Sequence, residues 1–394
     1  MEKEKAQDLL ARLESGYSLP ALSPVALKLV ELATEETCSA KDLANLVEKD
    51  PSLGVRLLKL ANSAFFRTTS PITTISQAIV KVGFQRLRVM ALSISLRDTF
   101  PMGKVGPLDY EEFWRISLYR ALIAKSLAER LKTYNPDEAF VTGLIMEIGL
   151  LIFFDFFIKG MHENISLELD SLENLISWER EHFGVDHRQV GEAALRYWKF
   201  PDHIVLCQQA YRNEDSSQEQ HPLVRLCELA RVLSQIVSKT SDTFYVPYAK
   251  AKTLLGLDQN IISDILVTTF DQVQEIADNL SVEMNKEKDL IEIVEKANRA
   301  LSRISEKIFS SERSADSDSL PTFDSIDKEG DSTARTLQAV AHELRNPLLV
   351  VGGFARKLAS SVDPDSEGGR YVQIILQEAS RLEKALSEMT RKKG

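Results

Sequence analysis

Val141-Thr142-Gly143-Leu144-Ile145-Met146-Glu147-Ile148-Gly149-Leu150-Leu151-Ile152-Phe153-Phe154-Asp155-Phe156-Phe157-Ile158 is the stretch on which the class of fold turns. Its length and apolarity fit either a membrane span or a helix buried among other helices. Glu147 and Asp155 decide between them, because a charged residue at the bilayer centre costs roughly 2.5–3.5 kcal/mol on insertion scales. A buried core helix is therefore expected, and no membrane association. Reading outward, similar apolar segments lie at Glu111–Leu131 and Pro136–Phe157, then at Leu172–His182, His187–Trp198 and after Pro201. Pro222 to Ser238 opens a further group that extends to about Leu280. Towards the N-terminus, Ser39-Ala40-Lys41-Asp42 can cap a helix running to Lys49. Asp50-Pro51 ends it and suits the first turn of the next, Ser52–Asn62. Further helical segments are read at Ser76–Val82 and Arg86–Leu96. Alternating strand patterns are scarce, so the fold class is all-α.

Composition narrows the function. The chain has 394 residues, too many for one ordinary core at about 150 residues per domain. A net charge of -10 with no basic stripe argues against nucleic acid, whose phosphates need clustered Lys and Arg. Cys38, Cys207 and Cys227 are three and widely spaced, which fits neither a disulfide framework nor a zinc knuckle and suits a cytoplasmic protein. Met1-Glu2-Lys3-Glu4-Lys5 has no apolar run after it, so no signal peptide is expected.

The period changes beyond Leu290. Leu290, Val294, Ala297, Leu301, Ile304 and Ile308 form a short heptad seam, marginal as a coiled coil by itself. The Ser- and Asp-rich run after it reads as a linker. Two more heptad helices follow, on Leu337, Ala341, Leu344, Leu348, Val351, Ala355 and Leu358, and on Val372, Ile375, Ala379, Leu382, Leu386 and Met389. Turn chemistry at 362–369 joins them. Such a helical hairpin has an apolar stripe wide enough to pair into a dimeric four-helix bundle.

Leu19-Pro20-Ala21-Leu22-Ser23-Pro24, Lys49-Asp50-Pro51-Ser52-Leu53, Leu60-Ala61-Asn62-Ser63-Ala64-Phe65-Phe66, Ile75-Ser76-Gln77-Ala78-Ile79 with Gly83, and Glu181-His182-Phe183-Gly184-Val185-Asp186-His187 together resemble the HDOD family. That resemblance implies an all-helical relative of the HD metal-dependent phosphohydrolases, found in bacterial signalling proteins and generally without their catalytic residues. Ile116 stands where the early-helix ligand histidine would fall, and Met146 and Glu147 stand in place of the His-Asp pair. Isoleucine cannot ligate, methionine is too soft for a hard metal, and Glu147 cannot hold one alone, so no metal and no hydrolysis are expected. His182 and His187 are five apart, not on one helical face, and read as a structural loop between helices. His203 reads as a helix-start residue, and His162 and His221 carry no signal.

Ala341-His342-Glu343-Leu344-Arg345-Asn346-Pro347, with Gly352-Gly353 downstream, resembles the histidine-kinase dimerisation and phosphoacceptor domain. A phosphoryl acceptor must be nucleophilic at neutral pH and exposed, and imidazole meets the first demand. His342 follows the seam residue Ala341 and so leaves the buried stripe, while Asn346, four residues on, shares its face. Pro347 removes a backbone donor and can bend the helix below them. The resemblance makes His342 the phosphorylated residue, Glu343 the acid/base and Asn346 a support for phosphotransfer and phosphatase chemistry. No Asp-x-Gly-x-Gly motif, Walker-type loop or receiver-domain acidic pocket precedes Lys392-Lys393-Gly394. The chain is therefore expected to bind no cofactor itself, with ATP and magnesium reaching it through an ATP-binding domain in trans or beyond residue 394.

The organisation expected is an HDOD domain at 14–212, a helical extension at 213–286, a coiled-coil connector at 287–310, a flexible linker at 311–331 and the phosphoacceptor hairpin at 332–394. The function expected is a homodimeric, cytoplasmic two-component signalling protein that exchanges phosphate with a response-regulator receiver domain. The alternative is a non-catalytic scaffold acting only through protein–protein contacts.

Overall fold

The computed structural model describes residues 10–11, 19, 22, 24–34, 40–62, 71–105, 108–158, 172–209, 221–237, 251, 253–284 and 289, with single positions between 352 and 380. They are helical almost throughout, as the sequence predicts. Among them the one sheet is a two-stranded antiparallel ribbon, β1 (Lys104–Val105) with β2 (Leu108–Asp109). Helices α1 (Pro24–Thr34), α2 (Ala40–Glu48), α3 (Pro51–Ala61), α4 (Ile75–Val82) and α5 (Phe84–Asp98) precede it. After it come α6 (Tyr110–Leu131), α7 (Pro136–Ile145), α8 (Ile148–Phe153) with a π turn at Phe154–Ile158, α9 (Leu172–Phe183) and α10 (His187–Tyr197). Then follow α11 (Asp202–Gln209), α12 (Pro222–Ser234) and α13 (Gln259–Leu280).

Local chemistry sets these boundaries. Asp50 Oδ1 accepts from the Leu53 amide at 3.0 Å while Pro51 fills the first helical position of α3. Thr74, Asp109 and Asn135 cap α4, α6 and α7 in the same way, with Pro136 opening α7. Gly184, at φ +73°, ends α9 with its amide on the Arg180 carbonyl at 3.0 Å. Asn62 joins α3 to the segment before α4, exchanging bonds with the Ile72 backbone at 2.7 and 2.8 Å.

Two compact units emerge: Met1–Thr240 with Thr268–Met284, and Ser241–Val267 with Asn285–Gly394. In the first, α6 is the central helix, with Phe113, Trp114, Leu118, Tyr119, Leu122 and Leu127 all buried. Helices α7 and α12 pack along it. Tyr119 meets Phe270 of α13 at 4.9 Å between ring centres, and Arg97 Nη2 donates to the Ser281 carbonyl at 3.0 Å. The second half of α13 thus belongs to the same core. Pro136–Ile158 is long and apolar enough to cross a membrane, and 83% of its most apolar window is buried inside the protein. It is not one rod, since α7 stops at Ile145 and α8 restarts at Ile148.

In the second unit the described hairpin positions are helical. Ala355 and Ala379, both on the expected seams, are buried. The seam from Leu290 to Ile308 and the linker lie outside the described residues.

Candidate functional site

His342, Glu343 and Asn346 lie outside the described residues. The positions that the HD resemblance gives to metal ligands are described. At the break between α7 and α8, Glu147 adopts φ -110° and ψ 21°, and its carboxylate is buried. Its Oε1 accepts from Arg188 Nη2 at 2.6 Å and its Oε2 lies 3.1 Å from His187 Nε2. His187 Nδ1 lies 2.6 Å from Glu179 Oε2, and the same oxygen accepts from the His187 amide at 2.9 Å. Arg188 Nη1 donates to the Cys207 carbonyl at 3.0 Å. The result is a closed chain of charges, Glu179–His187–Glu147–Arg188, in which every member is buried.

Two devices aim these side chains. Asp186 caps α10 reciprocally with Gln189, accepting from its amide at 2.8 Å while Gln189 Oε1 accepts from the Asp186 amide at 3.0 Å. Arg180 holds the other Asp186 oxygen at 2.7 Å. The first turn of α10, which carries His187 and Arg188, is thereby fixed. Gly149 then brings α8 directly against it: a Cβ there would sit 1.9 Å from the His187 carbonyl oxygen and 2.5 Å from the Gly191 nitrogen.

Both ring nitrogens of His187 face carboxylate oxygens, so both donate and the ring is an imidazolium. Burial alone would depress it, but Glu179 and Glu147 hold its pKa up at about 9. Burial alone would raise Glu147, but Arg188, His187 and Arg120 keep it well below the usual carboxylate range.

This donor set does not fit a hydrolytic metal. Ile116 lines the neighbouring cleft, Met146 is fully buried in the core, and Glu147 is bound to two cations. Among the described residues no three His, Cys, Asp or Glu side chains converge as a metal site requires. His182 lies apart from His187, exposed, its ring stacked on Trp178 at 4.7 Å. His203 is the second residue of α11, 3.4 Å from Glu138, and His221 caps α12 through Nδ1.

Residues 19–213 match the HDOD domain, and residues 332–392 match the His Kinase A (phospho-acceptor) domain. The chain joins an HDOD domain to a histidine-kinase phosphoacceptor domain. This pairing supports a signal-transduction protein of the histidine-kinase type. The uncharacterized protein YuxH of Bacillus subtilis is 27% identical over 141 residues, or 36% of this chain and 34% of that protein. The chain thus spans about a third of that relative's length. Among solved structures, a candidate phosphohydrolase of Shewanella amazonensis is 25% identical, with a TM-score of 0.55 over 69% of this chain and 97% of that one. An HDOD domain protein of unknown function from Geobacter sulfurreducens is 23% identical, with a TM-score of 0.52 over 71% and 98%.

Glu179 and Arg188 carry no local signal of their own in the sequence, where Glu147 stands as a lone carboxylate and His187 as part of a loop. The partners lie eight, 40 and 41 positions apart in the chain, beyond any local pattern. The available signal was Asp186-His187-Arg188, three polar residues at the head of a helix that must be buried, together with Glu147 inside an apolar run.

Proposed function

We propose that the chain is a phosphorelay protein in which the HDOD domain regulates and the C-terminal hairpin carries phosphate on His342. The observation that carries this is the run His342-Glu343-Leu344-Arg345-Asn346-Pro347 within the segment that matches the phosphoacceptor domain. In the reaction, an imidazole nitrogen attacks the γ-phosphorus of ATP held by an ATP-binding domain in trans or beyond residue 394. The bond to the bridging oxygen breaks, ADP leaves, and the ring proton passes to Glu343. The phosphoryl group then moves from the imidazole to an aspartate of a response-regulator receiver domain, with Asn346 orienting it. Two chains pair through their hairpins to present the histidines. The HDOD domain contributes no hydrolysis, because the carboxylate remaining at its metal position is neutralised by Arg188 and His187.

The test is phosphate labelling of the full chain with a histidine-kinase ATP-binding domain supplied in trans. An acid-labile, base-stable label is expected, absent from His342→Gln and slowed in Glu343→Gln. Asn346→Ala should change the onward transfer or hydrolysis of the label more than its formation. Equal label in His342→Gln, or none with any compatible kinase domain, would replace this reading with the dimeric scaffold.

A further inference from the structure

Next to the Glu147–Arg188 pair, α6 and α12 border a cleft that phosphotransfer at His342 does not use. About 330 Å³ of atom-free space lies in and above it, open solvent included, and its walls include Ile116, Ser117, Arg120, Glu147, Arg231 and Ser234. The charges around it do not cancel. Arg231 is answered by Glu228, whose Oε2 accepts from its Nε at 3.0 Å. Glu147 is answered by Arg188 and His187, and His187 also by Glu179. Arg120 has no such partner. Its Nε donates to the Gly143 carbonyl at 2.6 Å and its Nη2 to Ser117 Oγ at 2.8 Å, both neutral acceptors.

Among the described residues no carboxylate lies within ion-pairing distance of Arg120, although its side chain is only 3% exposed. Arg120, Arg188, Arg231 and His187 stand against Glu147, Glu179 and Glu228, an excess of one positive charge. Burial, with Arg188 and Arg231 adding repulsion, lowers the Arg120 pKa to about 10, Glu147 offsetting this only in part. A buried cation with no carboxylate in direct contact is costly, and a planar guanidinium is well shaped to take a tetrahedral oxyanion.

We propose that this cleft binds a small tetrahedral oxyanion, the phosphate of a phosphomonoester or free phosphate, through Arg120 with Ser117 and Ser234 beside it. Ser234 Oγ already gives its proton to the Arg231 carbonyl at 2.8 Å and has none to offer an anion, which makes Arg120 the principal anchor. The site includes Ile116 and Glu147, two of the positions that the HD resemblance gives to metal ligands. It accounts for Arg120 being buried with no carboxylate in direct contact, and it stands independently of any phosphate on His342.

The full chain is titrated by calorimetry and followed by thermal unfolding in sodium phosphate, sodium sulfate, adenosine monophosphate and, at matched ionic strength, sodium chloride. Phosphate or the nucleotide should raise the unfolding temperature saturably above the chloride curve, in the presence of EDTA as in its absence. A response to the nucleotide alone would assign the site to phosphomonoesters. Arg120→Met should abolish the response. Because loss of a buried arginine can also unfold the domain, Ile116→Phe fills the cleft without altering charge. That variant should keep its circular dichroism and lose at least tenfold in phosphate affinity. His342→Gln should bind as the parent does. Identical curves in phosphate, nucleotide and chloride, unchanged affinity in folded Ile116→Phe, or loss of binding in His342→Gln or with EDTA would overturn the proposal.

Discussion

His187 donates from both ring nitrogens to carboxylates, and its folded pKa of about 9 lies above the 6.5 of a free imidazole. A group raised on folding gives its full stabilisation below the unfolded pKa and loses it as pH climbs through the folded one. The His187 contribution is thus complete below about pH 6.5 and fades towards 9. Glu147 is depressed and works the other way, contributing above its unfolded value of 4.5 and losing that contribution as pH falls. The urea midpoint of the parent should therefore decline between pH 6.5 and 9, and His187→Gln should remove most of that slope. A variant whose slope equals the parent's would show that the ring is neutral in the folded protein. At pH 6 the same substitution leaves Glu147 and Glu179 each short of a buried donor, and breaking a buried pair costs about 3–5 kcal/mol. That is enough to make the loss of stability plain in a melting curve. Neither residue's part was legible in the sequence, because a pairing across 40 residues is set by how α8 meets α10 and leaves no local periodicity.

That meeting of helices depends on glycine at one point. Helix α8 touches α10 where Gly149 faces the His187 carbonyl and Gly191, and a Cβ at Gly149 would collide with backbone that cannot turn aside. At Gly191 the first obstacle is Gln208 Oε1 at 2.9 Å, the end of a side chain that can move, with the Gly149 nitrogen next at 3.3 Å. Gly149→Ala should accordingly lower stability by at least the ~1–3 kcal/mol usual for overpacking, and Gly191→Ala by clearly less. Chemical denaturation of the two variants side by side checks the order, and equal losses would mean that α8 can slide away from α10. The starts of α3, α7 and α12 were readable at Pro51, Pro136 and Pro222, since these act within a turn of themselves, whereas the caps at Asn135 and Asp186 were not singled out. The break at Met146–Glu147 was not readable. An unbroken apolar run gives no stop signal, and α7 ends there because Glu147 turns towards Arg188 and His187. The same buried network supports the expectation that protein purified without chelator carries no stoichiometric Mn, Fe or Zn. Elemental analysis finding about one tightly held ion per chain, lost on replacing His187, would reverse that.

At the scale of the whole chain, the HDOD match and the phosphoacceptor match leave residues 214–331 between them. Residues 268–284 of that interval belong to the first compact unit, so the HDOD core draws on chain beyond its matched boundary. The seam at Leu290–Ile308 spans fewer than three heptads, too few for a stable coiled coil by itself. By its sequence the hairpin is the better candidate for pairing two chains, since Leu344, Leu348, Leu382 and Leu386 fall on its heptad seams and the seam alanines are small. Ala355 and Ala379 are helical and buried, as positions on a packed seam should be. A dimer is expected for the full chain. Leu348→Glu combined with Leu382→Glu should convert it to monomer, because each substitution sets a carboxylate inside an apolar seam where nothing of opposite sign is expected to meet it. Light scattering reads the mass, and circular dichroism with an unchanged urea transition for the HDOD domain separates lost pairing from lost folding. Phosphate labelling by a kinase domain in trans should fall with dimerisation if that domain grips one chain's histidine while resting on the other. A dimer that survives both substitutions would place the interface in the HDOD unit and make the hairpin a passenger of that contact.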